Sequence, residues 1–551
     1  MNRLLIICCN IVWFISCLPG YIRFYYASRN IKQYQTRHLI RLMRNNRMTK
    51  YGRKYGFAKI NNWDDFVRLP LSEYQDYCKA VEQIGDGEEN VLTNDSVDIL
   101  QPTSGTSSIP KLIPHTKSAA KEFKSALDVW IVDLFMQRPK LFLGPQYWAI
   151  SPASEIKNLQ NRKVSIGFLD DAEYFGKQQR GIIDHIMAVP AEVKQITDMQ
   201  TNQYITLLFL LRLKNLRLIS VWHPSFLTLL LNAMRNVWPC LMRDLKTGGI
   251  DSNIHIPDKI RHCLEKKLKP EPKRAGELMR LDLYRDDLYR AIWPNIQVIS
   301  CWREGNVQLE IIELEKAFPD VLIQAKGLIA TEGVVSIPLG PSQQHVCSIT
   351  SHVLEFQDNN GTVHPIWDLH TGKSYQVILT TAGGLYRYQI KDRIEVTGFY
   401  GQVPCIRFLG RTGIISDFVG EKIHIEHIEK IISEVARQYF PSPRFAMLVP
   451  STDNKNRRYN LLVEKNGNAN LNLIAVAMSL ESELCSNYHY AHARELGQLK
   501  PVVVTMVDSS TQNRYRNFMI SKGAVAGTIK FPALCTVRGI EEYLIGISAM
   551  S

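Results

Sequence analysis

Residues 103–111 read T-S-G-T-S-S-I-P-K. Small hydroxylated residues, one glycine and a closing lysine make a loop that could surround a polyphosphate with backbone N–H groups, hydroxyls and a cation. Ser104, Gly105, Thr106 and Ser107 are the candidates for that contact. The G-x-x-x-x-G-K-[ST] spacing of a Walker loop is absent. An ordinary Ser/Thr turn between two strands has the same composition. Later stretches add chemistry in order. G-L-I-A-T-E-G (327–333) sets Thr331 and Glu332 after a strand, where the carboxylate could hold Mg²⁺ against phosphate oxygens. Y-R-Y-Q-I-K-D (386–392) ends in Asp392, an acceptor for ribose hydroxyls. G-R-T-G-I-I-S-D-F-V-G-E-K-I (410–423) carries Arg411 and Lys422, and K-F-P (530–532) puts Lys530 in a loop.

Alternating strands and helices must position these groups. Residues 118–136 have apolar positions at helical spacing, and 141–150 read as a strand. Residues 204–213 are strongly apolar, 218–222 read as a buried strand, and 227–238 as a second apolar helix. Strands over 296–301 and 321–324 flank a helix over 307–318. Strand–helix alternation of this kind predicts an α/β fold with parallel pairing. Strands follow at 346–356 and 374–381, then a meander over 387–409. From Glu426 the chain reads as a smaller α/β unit.

The net charge is +13, but it is concentrated. Residues 1–63 hold 12 Lys and Arg and no acid, which leaves 54 basic against 53 acidic residues in the rest. A near-neutral body excludes a nucleic-acid-binding surface as the source of the charge. The eleven cysteines are scattered, with no C-x-x-C pair. That pattern predicts reduced thiols in a cytoplasmic compartment rather than a disulfide scaffold. Residues 4–19 are uncharged and mostly apolar, slightly short of the ~17–25 residues of a spanning helix. Three readings fit: a membrane anchor or interfacial helix favoured by its cationic flank, a cleaved signal, or a helix packed on the body. An acid-free, Arg-bearing start also permits an organelle transit peptide. Residues 37–54 then read as a basic amphipathic helix stopped by Gly56.

The order of the stations, with stretches between them, resembles the acyl-acid amido synthetases of the auxin-responsive-promoter family, a branch of the adenylate-forming superfamily. The likeness runs over roughly residues 45–533. It includes K-L-I-P-H-T-K (111–117), L-G-P-Q-Y-W-A-I-S-P-A-S-E (143–155), L-I-S-V-W-H-P-S-F (218–226) and A-R-E-L-G-Q-L (493–499). The resemblance implies a large N-terminal adenylating domain, with mixed sheets and a β-meander, over 48–410. A hinge over 411–423 and a small, mobile C-terminal α/β domain over 424–551 follow it, and residues 1–47 form the arm. It implies ATP and Mg²⁺ as cofactors and a two-step reaction: a carboxylic acid is adenylated, and an amine, often an amino acid, then takes the acyl group. By the same resemblance Ser104, Gly105, Thr106 and Ser107 serve the phosphates, Thr331 lies near the α-phosphate, and Glu332 holds Mg²⁺. Asp392 serves the ribose, and Arg411 the ribose or phosphates at the hinge. Lys422 and Lys530 stabilise charge after the small domain rotates.

Four positions depart from the family pattern. Ser108 stands for a second glycine, Lys391 for a glycine before the ribose acid, Gly413 for an acid in the hinge, and His115 for an aromatic residue. With the basic arm they keep open a membrane-tethered binding protein with a degenerate nucleotide fold, and motifs shared across the superfamily leave open a coenzyme A ligase, because they do not separate thiol from amine acceptors. The pairs His424/His427 and His489/His492 read as surface histidines, because no third metal ligand is spaced to join them. A G-x-S-x-G elbow is absent, which removes one serine-hydrolase class. Removing residues 1–47 is expected to release the protein from membranes and leave catalysis largely intact.

Overall fold

The computed structural model describes the chain apart from residues 1–2, 103–110, 150–162, 167–176, 305–306, 412, 414, 417–420, 422, 441–442, 444, 452–456, 465–471, 496–498, 523–528, 538 and 547–551. Two antiparallel strands, β1 (Val97–Pro102) and β2 (Leu112–Thr116), come first. Four short strands, β3 (Gln146–Trp148), β4 (Leu218–Ser220), β5 (Val298–Cys301) and β6 (Leu322–Ala325), pair in that order as a parallel sheet. Side chains alternate across a strand, and that alternation divides the interior in two. Trp148, Leu218 and Val298 point into one core, and Tyr147, Ile219 and Ile299 into the other. Burial on both faces is why these strands read as continuous apolar runs.

Each core is roofed by a helix whose C-terminal half is buried nearly all round. Lys117–Gln137 is capped by Thr116, whose hydroxyl accepts from the Ala119 N–H at 3.1 Å. Met199–Leu211 is capped by Asp198, which accepts from the Thr201 N–H at 2.8 Å. After the hairpin of β7 (Ile329–Ala330) and β8 (Gly333–Val334) comes a seven-stranded antiparallel sheet. It is built from β9 (Ser336–Leu339), β10 (Gln344–Cys347), β11 (Val353–Gln357), β12 (Val363–Pro365), β13 (Ser374–Thr380), β14 (Tyr388–Tyr400) and β15 (Val403–Arg411). β16 (Ile415–Ser416) and β17 (Ile423–His424) pair next. A smaller unit holds β18 (Ala446–Pro450), β19 (Tyr459–Glu464) and β20 (Val503–Val507), with one core under the Ile425–Tyr439 and Leu473–Leu484 helices and a second under the Thr511–Ser521 and Ile540–Ile545 helices.

Several boundaries differ from the sequence reading. The expected 346–356 strand is two strands, broken over 348–352 where Ser348, Thr350 and Ser351 favour a turn. The expected strand over 141–150 shrinks to β3, because Pro139–Leu143 forms a 3₁₀ turn ahead of Gly144 and Pro145. The 37–54 helix is two: Ile31–Asn46, then Lys50–Lys54, restarted by the Thr49 cap. The meander over 387–409 is one long hairpin of β14 and β15, turned at Gly401 with φ +63°.

Arg3–Ala27 is a single helix lying along the body, with Trp13, Cys17 and Phe24 in the first core. Trp13 meets Phe135 and Trp148 edge-on at 5.9 and 6.1 Å. Asn10 donates to the carbonyls of Phe142 and Gly144, both at 3.1 Å, and accepts from Gln146 at 3.2 Å. Gly20 lies at the crossing with the Lys117–Gln137 helix, where a Cβ would sit 2.6 Å from the Asp128 Cβ. The Ile31–Asn46 helix is stitched on by Gln35, which donates to the carbonyls of Ile349 and His352 and accepts from the Leu354 N–H.

Candidate active site

Pro102 pairs with Leu112 at the end of the β1–β2 ladder. The ladder therefore holds both ends of the phosphate-loop stretch, although Ser104, Gly105, Thr106, Ser107 and Ser108 lie outside the described residues. Thr331 and Glu332 form the two-residue tip between β7 and β8, since Ala330 pairs with Gly333. A cavity opens there. Gln101, Ile113, Pro114 and His115 from the β1–β2 ladder line it with Ala119, Phe123, Thr331, Glu332, Gly333, His352, Thr381 and Gly383. Glu332 is only 7% exposed, and its Oε1 has no hydrogen-bond partner among the described residues. A carboxylate oxygen buried without a partner costs folding free energy. A carboxylate oxygen is a hard donor, and its chemistry fits Mg²⁺.

Behind the cavity lies a polar cluster that sequence reading missed. Glu122, from the Lys117–Gln137 helix, is fully buried. Its Oε1 is 3.0 Å from His38 Nε2, and its Oε2 is 2.9 Å from His352 Nδ1 and 2.8 Å from the Ala382 N–H. Arg41 donates to His38 Nδ1 at 3.0 Å, which leaves His38 Nε2–H to donate to Glu122. His352 in turn gives Nδ1–H to Glu122, and its Nε2 lines the cavity with no partner among the described residues. Burial alone would raise the Glu122 carboxyl, but His352 and His38 outweigh it and hold it at about 2, below its ordinary 4.5. A depressed carboxylate stabilises the fold at high pH and loses that contribution as pH falls. We expect roughly 3 kcal/mol to disappear between about pH 4.5 and 2. Denaturant midpoints against pH would check this: Glu122→Gln should flatten the acid limb, and an unchanged limb would refute the assignment. His115 is buried in β2, and burial pushes its ring down to about 4. It therefore meets the cavity as a neutral aromatic ring at neutral pH.

The predicted ribose acid and hinge arginine are cross-strand partners: Asp392 in β14 pairs with Arg411 at the end of β15. Asp392 is buried, while the Arg411 side chain lies outside the described residues. Two departures have backbone consequences here. Lys391 sits at φ +65°, the left-handed region where glycine is at home, and its Nζ meets Glu73 at 2.9 Å. Gly413 sits at φ +103°, where any side chain would be strained. Lys391→Gly should relieve about 1–2 kcal/mol of backbone strain against a smaller loss in chain entropy and a weak, half-exposed ion pair. The net expectation is a gain of about 0.5–1 kcal/mol in urea denaturation. A lower midpoint would mean that the Glu73 pair dominates.

Lys530 is not among the residues lining the Glu332 cavity. Its ammonium lies 4.8 Å from the centre of the Trp302 ring, just beyond β5, so the small domain touches the large one there. His223 lies close by, held down to about 3 by burial and by the charges of Lys530 and Arg516. Lys422 lies outside the described residues. Past the end of β6, buried Lys326 donates to Ser220 Oγ at 2.6 Å. Its ammonium faces Trp130, Trp148 and Trp222 at 5.3, 5.8 and 5.1 Å. Among the described residues no three His, Cys, Asp or Glu side chains cluster as a metal site.

Comparison with known proteins places this arrangement. Residues 21–323 match the GH3 family N-terminal domain, 346–411 its central domain and 426–538 its C-terminal domain. The chain belongs to the GH3 family. The probable indole-3-acetic acid-amido synthetase GH3.1 of Arabidopsis thaliana is 24% identical over 94% of this chain and 91% of its own. The jasmonoyl–L-amino acid synthetase GH3.5 of Oryza sativa subsp. japonica is 19% identical over 94% of both. Among solved structures, the GH3.15 acyl acid amido synthetase in complex with 2,4-DB superposes with a TM-score of 0.83. It is 20% identical over 96% of this chain and 95% of that one. The expected family and fold, a large N-terminal and a smaller C-terminal domain with mixed helices and sheets, are both present. This GH3 chain is thus a member of a ligase family whose curated relatives are named amido synthetases.

Glu122, His352 and Lys326 escaped sequence reading for one reason. None lies in a stretch of unusual composition, and their partners come from distant parts of the chain. The only local signal was a lysine directly after an apolar strand, in Q-A-K-G (324–327).

Proposed function

We propose that this GH3 chain is an ATP-dependent ligase that adenylates a carboxylic acid beside Glu332 and passes the acyl group to the amine of an amino acid. The buried Glu332 oxygen at the Thr331–Glu332 tip, without a hydrogen-bond partner among the described residues, carries this reading. In the first step a carboxylate oxygen of the acid attacks the α-phosphorus, and the bond to the β-phosphate oxygen breaks to release pyrophosphate. In the second, the amine nitrogen attacks the acyl carbon, the bond to the phosphate oxygen breaks to release AMP, and the neutral amine gives up one proton to solvent and keeps the other in the amide. Glu332 would hold Mg²⁺, which when bound neutralises polyphosphate charge. Asp392 and Arg411 orient the ribose and phosphates. Ile113, Phe123 and the neutral His115 ring offer an apolar wall to the acyl part. Ser104, Gly105, Thr106 and Ser107 are proposed for the phosphates, and Lys422 and Lys530 for charge stabilisation once the small domain turns.

The test is ATP–pyrophosphate exchange against a panel of carboxylic acids without amine, followed by AMP release with amino acids or coenzyme A. Exchange with one acid class and AMP release only with amino acids is expected. Release with coenzyme A alone would make the chain a thioester ligase. Intact ATP binding without exchange for any acid would remove the adenylation reading. We also infer a cytoplasmic enzyme held at a membrane surface through residues 4–47. The acid-free cationic arm and the absence of disulfides among the eleven cysteines support this.

A further inference from the structure

The first helix has two unlike faces. Ile6, Cys9, Asn10, Trp13, Cys17, Gly20, Phe24 and Ala27 form a buried stripe on the body. The opposite stripe, at positions four or seven residues apart, is uncharged and open. Leu4 is 73% exposed, Ile11 41%, Ile15 55%, Ile22 50% and Tyr26 65%. Leu5 and Val12 widen it. At ~1.5 Å per residue the stripe is over 30 Å long. An uninterrupted apolar band of that size is not an ordinary scatter of exposed hydrophobic residues.

We propose that this outer face is an in-plane docking surface for an anionic lipid bilayer, so that the protein is monotopic and does not span. The proposal rests on the membrane-surface reading above and specifies its mode. Spanning is incompatible with the inner stripe. Crossing a bilayer would pull Asn10 from the carbonyls of Phe142 and Gly144 and strip Trp13 and Phe24 from the core. Lying in the interface keeps every one of those contacts and covers only the outer stripe. The choice of an anionic surface follows from charge. No acid occurs before Asp64, whereas Arg3, Arg23, Arg29, Lys32 and Arg37 are all exposed near the helix or just after it. Tyr25 and Tyr26 close the helix with the aromatic character that interfaces favour, and the Arg29 guanidinium packs on the Tyr25 ring at 4.6 Å. Arg29 and Lys32 also line an open depression with Trp367 and Phe399, a shape and charge suited to a phosphate headgroup.

The experiment floats the full-length protein with phosphatidylcholine vesicles and with vesicles that also contain phosphatidylserine. Pyrophosphate exchange and melting temperature serve as controls. The protein should float with the anionic vesicles and come off at high salt. The pair V12E and I15E, both on the open face, should weaken flotation by about tenfold or more without changing exchange or melting. Depth is then read from an environment-sensitive dye at Leu4→Cys, Val12→Cys or Ile22→Cys, with the exposed Cys8 and Cys240 replaced by serine. Equal, shallow depth at all three is the in-plane result, and a deep middle with unlike ends would overturn it. If the wild type floats but V12E and I15E make no difference, the membrane reading stands and the docking face is wrong. If an active wild type floats with neither vesicle, both fall. A dimer dissociated by I15E in the absence of lipid would show that a second copy covers this face and would overturn the proposal.

Discussion

Replacing Glu332 by glutamine is expected to lower ATP–pyrophosphate exchange by about 10²–10³-fold, the usual scale for losing one electrostatic contact made in the transition state. The same change should leave the protein as stable as before, or slightly more so. In the folded chain Glu332 Oε1 is buried and takes no hydrogen bond among the described residues, so it costs stability and returns none. Glutamine keeps the shape and removes the charge. A residue that is neutral or unfavourable for folding and indispensable for turnover marks a site held for chemistry. The two readouts are exchange under saturating acid and ATP, and the denaturant midpoint of the same preparation. Full exchange in the variant would sink the assignment. So would a large loss of stability, which would make Glu332 a structural group instead. Glu332→Ala should also abolish exchange, with a further penalty for the vacated space.

Deleting residues 1–47 should destroy the folded protein, not release it from membranes. The sequence reading expected a dispensable arm. In the structure, Trp13, Phe24, Leu39, Leu42 and Met43 are buried in two of the cores, and Gln35 and His38 hold partners in the body. Truncating one large buried side chain costs about 2–5 kcal/mol, and a whole domain is stable by only about 5–15 kcal/mol. Losing five such side chains exceeds that margin. The deletion also strands Glu122 with one histidine partner fewer and bares the roof of the Lys117–Gln137 helix, an effect reaching toward the cavity. Insoluble or unfolded product on expression is the expected result. A soluble truncation with normal exchange would show that the two helices are dispensable. Trp13→Ala gives a milder check, with an expected loss of about 3–5 kcal/mol and exchange retained below the melting point.

Local pattern was enough to place the proposed site stretches on their elements. The T-S-G-T stretch lies between two short apolar runs in the sequence, and those runs pair as β1 and β2. The Thr331–Glu332 tip follows a strand as expected, and Asp392 and Arg411 fall on adjacent strands. Spacing along the chain carries this information, because a strand repeats every two residues and a helix every 3.6.

Tertiary structure alone decided the rest. Glu122 finds His38, His352 and Ala382 at separations of 84, 230 and 260 residues, and no periodicity records such meetings. The turn that breaks the strand expected over 346–356 is held by Gln35 of the second helix, which donates to the carbonyls of Ile349 and His352 more than 300 residues away. The first helix is the plainest case. Both of its stripes are apolar, so hydropathy gives them equal claim to the core. The carbonyls of Phe142 and Gly144 and the gap left for Gly20 beside Asp128 choose between them. Those features belong to the shape of the assembled body, which is why they could not be read from residues 3–27 by themselves.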